Sequence, residues 1–177
     1  DPPSPRRGSP LTPASVLALD LGGTQIRAAC VLPDGERVGR TARLTPVADG
    51  PAAVIEACAE ALEAAAAQAR RERTPEPAAI GISSPGPLDP RRGIVTDSPN
   101  LGPEFRGTPL AAALQQRVGL PAFLERDTNV AALAEMTYGA ARGVEDFLYL
   151  TVSTGFGGSI VSEGRIVHGP DGMAGEL

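Results

Sequence analysis

Short apolar segments with the spacing of strands alternate along this chain with segments of helical periodicity. Residues 15–20 and 24–32 are separated by a pair of glycines, which predicts a hairpin with a glycine turn. A Pro-Asp-Gly turn at 33–35 predicts a third strand over residues 36–44. Apolar side chains then recur every three or four positions between residues 51 and 73, which predicts a long amphipathic helix.

The same alternation continues through the rest of the chain. Strands are expected over 78–83, 121–125, 146–152 and 158–168, and helices over 108–118 and 127–142. The first of these strands leads into a Ser-Ser-Pro-Gly-Pro sequence, which neither a helix nor a central strand could contain. The predicted order is β-β-β-α-β-α-β-α-β-β, which indicates an α/β protein with a mixed sheet.

Composition indicates a globular protein and argues against one that binds nucleic acid. A chain of 177 residues, 42% of them hydrophobic, can bury one sizeable core, or one core and part of another. Its net charge of -5 argues against nucleic acid as a partner, because binding a phosphate backbone requires a basic surface. We therefore expect a soluble globular protein with no nucleic-acid partner.

The cysteines and the N-terminal segment indicate in which cellular compartment the protein is expected. Cys30 and Cys58 lie in apolar stretches without CxxC spacing, which is typical of reduced core thiols in the cytoplasm. Residues 1–13 are rich in proline and predict a disordered tail, with the fold beginning near Ala14. The two arginines near the start are not followed by the apolar run of a secretory signal, so none is expected, and no apolar stretch reaches the length needed to cross a membrane.

Two glycine-rich turns are candidates for phosphate binding. Asp20 ends a predicted strand and is followed by Gly22, Gly23 and Thr24, which place bare backbone N–H groups and a hydroxyl beside a carboxylate. A pair of glycines between strands is also an ordinary hairpin turn, so this motif alone is ambiguous. A second glycine cluster over 153–158 again follows a strand, without the lysine of a P-loop. Two such turns indicate nucleotide binding better than one.

Five motifs in order along the chain resemble those of the ROK family of bacterial sugar kinases. They are LDLGGTQIRAA, GISSPGPLD, DTNVAALAE, TVSTGFGGSIVSEGRIVHG and GMAGEL, and the resemblance extends over residues 16–177. It implies the actin-like ATPase or hexokinase-like (ribonuclease H-like) fold, in which two α/β lobes close on ATP and a hexose. Residues 14–140 would then form the N-terminal lobe, and residues 141–177 the start of an incomplete C-terminal lobe.

The resemblance also implies roles in nucleotide binding. Asp20 would reach Mg²⁺ through water, which suits an ion that prefers oxygen ligands and retains several waters. The first phosphate loop and the second would be formed by Gly22, Gly23, Thr24, Gly155, Gly157 and Gly158.

On the sugar side, Asp127 matches the catalytic carboxylate of the family and would accept the proton of the attacking hydroxyl. The alternative is a helix N-cap, a position that Asp favours. The resemblance implies sugar contacts for Asn100, for the backbone around Pro85 and Gly86, and for Glu176, with turn formation or plain solvation as their alternatives.

Arg126 departs from the family pattern, because Asn most often precedes the catalytic Asp and contacts the sugar. An arginine is longer, permanently charged and donor-only, so it would face a phosphate or leave the pocket. A phosphorylated or acidic substrate therefore stays open beside a neutral hexose. Arg126 is kept among the candidate substrate-binding residues.

The family continues past Glu-Leu into a Gly-His pair and a Cys-rich zinc motif, which would lie beyond Leu177. His168 lacks cysteine partners at zinc-ligand spacing, so no metal site is expected within this chain. The resemblance suggests a homodimer for the longer form. Two alternatives to a kinase are a truncated inactive fragment that acts as an interaction module, and a sugar-responsive ROK regulator. The regulators carry an N-terminal winged helix-turn-helix, whereas only about 14 proline-rich residues precede the first strand here.

Overall fold

The computed structural model describes residues 14–152 and 156–175. Within these ranges the longer helices are α1 (Gly50–Arg71), α2 (Leu110–Val118) and α3 (Asp127–Tyr138). The strands are β1 (Ser15–Leu21), β2 (Gln25–Val31), β3 (Arg37–Leu44), β4 (Pro77–Ser84), β5 (Leu88–Asp89), β6 (Ile94–Val95), β7 (Ala122–Arg126), β8 (Phe147–Val152), β9 (Phe156–Ser162) and β10 (Arg165–Ile166).

Five of the strands form a mixed sheet in the order β3-β2-β1-β4-β7. The first three are antiparallel neighbours, whereas β4 runs parallel to both β1 and β7. The mixed sheet predicted from the sequence is confirmed. Since β1, β4 and β7 point the same way, the residues that follow them meet at one edge of the sheet, which is called the carboxyl edge below.

The main core lies between this sheet and helices α1 and α2. Burial alternates along β1, where Leu17, Leu19 and Leu21 face the helices, as the period of a strand requires. The buried face of α1 includes Cys58 and Leu62 among several alanines, whose small side chains let the helix lie close to the sheet. The described residues include no helix with the length and apolar character needed to cross a bilayer.

A second, three-stranded antiparallel sheet has the order β10-β9-β8 and contacts α3. Apolar side chains on β8 stay exposed, including Leu148 (65%), Leu150 (57%) and Val152 (69%). Exposed apolar side chains in a row indicate a surface that other chain segments or partners cover.

The structure departs most from the sequence prediction in α3, in the last predicted strand and in a short hairpin. Helix α3 ends at Tyr138, before Gly139, instead of near residue 142. The strand predicted over 158–168 begins at Phe156 and is broken by a turn at Glu163 and Gly164, both with positive φ, so that β10 folds back on β9. The short β5–β6 hairpin was not predicted, because two-residue strands are too short to show alternation.

Burial of the two cysteines makes a testable prediction about the core. Desolvation raises the pKa of Cys58 to about 12, and it also raises the pKa of Cys30. Since the thiolate is the reactive form, neither thiol should react with a disulfide reagent at pH 8 in the native state. Both should react at once in denaturant. Rapid labelling of one thiol in native protein would contradict the packing of β2 or α1.

Candidate active site

The carboxyl edge brings three of the sequence motifs side by side. In the register of the sheet, Asp20 pairs with Ser83 on β4, and Ser83 pairs with Glu125 on β7. Neighbouring strands lie about 4.8 Å apart, so the backbones of Asp20 and Glu125 are separated by roughly 10 Å. The Asp20 side chain is 51% exposed and forms an ion pair with Arg27 at 3.4 Å.

The first glycine turn is fixed by hydrogen bonds to its own neighbours. The Gly22 N–H donates to the Gln25 carbonyl at 2.9 Å and closes the turn. The Thr45 hydroxyl donates to the Gly22 carbonyl at 2.6 Å, and the Thr45 N–H donates to the Thr24 carbonyl at 3.0 Å. Gly22 therefore shapes the turn, and recognition of a phosphate would fall to the residues after it.

Gly23 lies directly against Asn100, the candidate sugar-binding residue. A Cβ placed on Gly23 would lie 2.4 Å from the Asn100 carbonyl oxygen, far inside van der Waals contact. Asn100 sits on an exposed turn, in which the Leu101 N–H donates to the Ser98 carbonyl at 3.0 Å. The candidate phosphate loop and the candidate sugar residue are thus in contact.

Asp127 is the first residue of α3 and is exposed at the carboxyl edge. The N-cap position belongs to Arg126, whose backbone is extended, and its side chain makes no capping hydrogen bond. The Oδ1 atom of Asp127 accepts the Thr128 N–H at 2.7 Å. One carboxylate oxygen therefore supports the first turn of the helix while the side chain stays accessible to a ligand.

The second glycine cluster approaches the same helix turn. A Cβ on Gly157 would lie 3.1 Å from Thr128 Cγ2, so the start of β9 packs against the residue that follows Asp127. Gly158 in turn packs against Gly175, since a Cβ on Gly175 would lie 2.9 Å from the Gly158 carbonyl oxygen. Two of the candidate site residues, Gly155 and Glu176, lie outside the described residues.

Arg126 is buried beneath this surface, with 1% of its area exposed. Its stem passes Gly86, where a Cβ would lie 3.1 Å from Arg126 Cδ. Its Nη2 donates to the Ala174 carbonyl at 2.5 Å and to Asn129 Oδ1 at 3.3 Å. Pro85 and Gly86 follow β4 at the carboxyl edge, and the neighbouring peptide bond Gly86–Pro87 is cis.

Sequence reasoning missed Glu125 and Asn129, and it considered His168 only as a zinc ligand. Glu125 Oε2 lies 2.6 Å from His168 Nε2, and Glu125 Oε1 accepts from Asn129 Nδ2 at 2.8 Å. The i, i+4 spacing of Glu125 and Asn129 across the β7–α3 junction was a weak signal for their pairing. Nothing in the sequence indicated that His168 would join them.

The described ranges contain no group of three or more His, Cys, Asp or Glu side chains able to hold a metal ion. The single exposed carboxylate of Asp20 beside the glycine turn does fit Mg²⁺, which is commonly held by one or two carboxylates together with waters and nucleotide phosphates. A zinc site is not supported by the side chains described.

A five-stranded mixed sheet flanked by helices, with glycine turns and a carboxylate at its carboxyl edge, defines the class of actin-like ATPase folds. Comparison with known proteins agrees with this class. The model of the ROK family matches residues 16–177, so the chain belongs to the ROK family.

Individual relatives are sugar kinases and a regulator. The chain is 37% identical to a glucokinase from Thermotoga maritima. The aligned region covers 92% of this chain and 49% of that glucokinase. It aligns over 92% of its length, with a TM-score of 0.79 and 31% identity, with 49% of a ROK glucokinase from Streptomyces griseus solved with glucose and AMPPNP. The structure of a ROK transcriptional regulator homologous to E. coli MLC superimposes with a TM-score of 0.80 at 25% identity. The match covers 92% of this chain and 40% of the regulator chain. The chain spans about half the length of the curated relatives it matches.

Proposed function

We propose that this ROK protein is an ATP-dependent hexose kinase of the glucokinase kind, with Asp127 as the general base. The observation that carries the proposal is the exposed carboxylate of Asp127 at the same sheet edge as the Gly22-Gly23 turn and Asn100. Convergence of the nucleotide-phosphate and sugar motifs at one sheet edge supports a site that binds both ligands together.

In this mechanism the oxygen of a hexose hydroxyl bonds to the γ-phosphorus of ATP while Asp127 accepts the proton of that hydroxyl. The bond between the γ-phosphorus and the bridging oxygen breaks, and ADP leaves. Such a base typically contributes about 10²- to 10⁴-fold, and positioning and charge neutralisation supply most of the remainder. The hexose would be held by Asn100, by the backbone around Pro85 and Gly86, and by Glu176. The contact between Gly23 and Asn100 supports this arrangement, because it brings the turn proposed for the nucleotide against the turn proposed for the sugar.

For the nucleotide, backbone N–H groups of Gly23 and Thr24 and the later glycines Gly157 and Gly158 would face the phosphates. Asp20 would hold a water of the Mg²⁺ that accompanies ATP, and that ion would neutralise charge on the phosphates. The Gly22 N–H is occupied within the turn, so its contribution is to shape the loop. The cytoplasmic location, the homodimer and the zinc motif of a longer form stay predictions.

The test is release of ADP by the complete gene product containing this chain, measured with a coupled assay across common hexoses and their acidic and phosphorylated forms. A hexose kinase gives ADP release that depends on a neutral hexose. A regulator would bind the sugar without ADP release, and an interaction module would show no rise in melting temperature with ATP or sugar. Absence of sugar-dependent ADP release with every substrate would refute the proposed function.

A further inference from the structure

We propose that a closed ring of hydrogen bonds beneath Asp127 positions the segment that leads to Glu176, and that Arg126 acts in this ring instead of contacting the sugar. The inference rests on the proposed function for its catalytic consequences, although the ring itself can be tested without turnover. Its members are Glu125, Arg126, Asn129, His168 and Ala174.

The outer half of the ring closes a loop over residues 168–174. The Ala174 N–H donates to the His168 carbonyl at 3.1 Å, which joins the two ends of the loop. Glu125 and Arg126, the last two residues of β7, each contact one end of this loop. Glu125 Oε2 lies 2.6 Å from His168 Nε2, and Arg126 Nη2 donates to the Ala174 carbonyl at 2.5 Å.

The inner half of the ring connects those two residues through the first turn of α3. Glu125 Oε1 accepts the Asn129 amide at 2.8 Å and the Arg126 backbone N–H at 2.9 Å. Asn129 Oδ1 accepts a guanidinium N–H of Arg126 at 3.3 Å. Asn129 and Arg126 are 0% and 1% exposed, so breaking one bond would leave buried polar groups unsatisfied.

Burial decides between the roles open to Arg126. Its charged end donates to the Ala174 carbonyl and to Asn129 Oδ1, and 1% exposure leaves almost no surface for a sugar hydroxyl or a phosphate. The stem reaches these acceptors by passing Gly86, which has no side chain to obstruct it. Arg126 is therefore a positioning residue, and the substrate needs no negative charge to match it.

The ring adjoins, along the chain, the two carboxylates of the proposed chemistry. Asp127 lies between Arg126 and Asn129 in sequence, and Glu176 follows Ala174 by two residues. Contact between Gly158 and Gly175 ties the same segment to the second glycine cluster. Displacement of a reacting group by about 1 Å can cost about 10²-fold in rate, so loss of the ring should affect catalysis without removing any ligand contact.

The experiment compares Arg126→Met, Arg126→Lys and His168→Gln in the complete gene product, with Arg40→Met as the matched control on an exposed arginine of β3. Amide hydrogen exchange is measured over residues 168–175, together with kcat and KM for hexose and for ATP. Arg126→Met should speed exchange in that segment and lower kcat by about 10²-fold, with the KM for ATP unchanged. Arg126→Lys should restore part of both, and Arg40→Met should match the wild type.

The opposite pattern of kinetics and exchange would overturn the inference. If Arg126→Met raised the KM for hexose at unchanged kcat, with exchange over 168–175 unaltered, Arg126 would be a sugar ligand. If Arg126→Met does not fold, Arg126→Lys and His168→Gln decide by the same two readouts. Faster exchange in the variants supports the ring whether or not the wild type phosphorylates a hexose. Absence of hexose phosphorylation by the wild type refutes only the proposed function, so the two failures are distinguishable.

Discussion

Asp127→Asn is expected to lower hexose phosphorylation by about 10²- to 10⁴-fold with little change in the KM for ATP. An amide cannot accept the proton of the sugar hydroxyl at neutral pH. Its oxygen can still accept the Thr128 N–H that Oδ1 accepts now, so the first turn of α3 should stay intact. Steady-state ADP release and thermal unfolding measure the two effects separately.

The matched control for this substitution is Asp49→Asn. Asp49 precedes α1, is exposed, and makes no capping hydrogen bond through its side chain. The same loss of one charge there should leave both activity and melting temperature unchanged. Activity of Asp127→Asn equal to that of the control would mean that this carboxylate only supports the start of the helix.

Gly23→Ala is expected to weaken both ATP and hexose binding through one added methyl group. Its Cβ would lie 2.4 Å from the Asn100 carbonyl oxygen, so either the glycine turn or the turn carrying Asn100 must move. Because small displacements of positioned groups cost about 10²-fold, we expect kcat/KM for each substrate to fall by about that factor. Kinetics with each substrate varied in turn measure the change.

Gly81→Ala provides the comparison within the same sheet. A Cβ on Gly81, in the middle of β4, would meet nothing within 4 Å. That variant should keep wild-type kinetics, whereas Gly23→Ala should not. Equal kinetics for the two variants would contradict the contact between the glycine turn and Asn100.

Much of the fold could be predicted from the sequence because it depends on local patterns. The short apolar run over residues 15–20 predicted β1, and the three-and-four spacing of apolar residues around Leu62 predicted α1. The β5–β6 hairpin and the turn at Glu163 escaped prediction, because their elements are too short for a period to develop.

The candidate site divides in the same way. Asp20 and Asp127 could be singled out because Asp20 lies near the end of β1, Asp127 directly follows β7, and each belongs to a recognisable motif. The ring could not be found from sequence, since Glu125 and His168 are 43 residues apart and meet only through tertiary packing. Arg126 illustrates the limit, because its identity suggested a charged ligand and only its burial indicates a structural partner.

The most direct test of the account is a crystal structure of the complete gene product with a hexose and a non-hydrolysable ATP analogue. We expect one hexose hydroxyl within about 3 Å of the Asp127 carboxylate, on the side facing the terminal phosphate. We also expect the Gly22-Gly23 turn to lie along the phosphates. A hexose bound away from Asp127, or an analogue that makes no contact with the glycine turns, would contradict the assignment of this site.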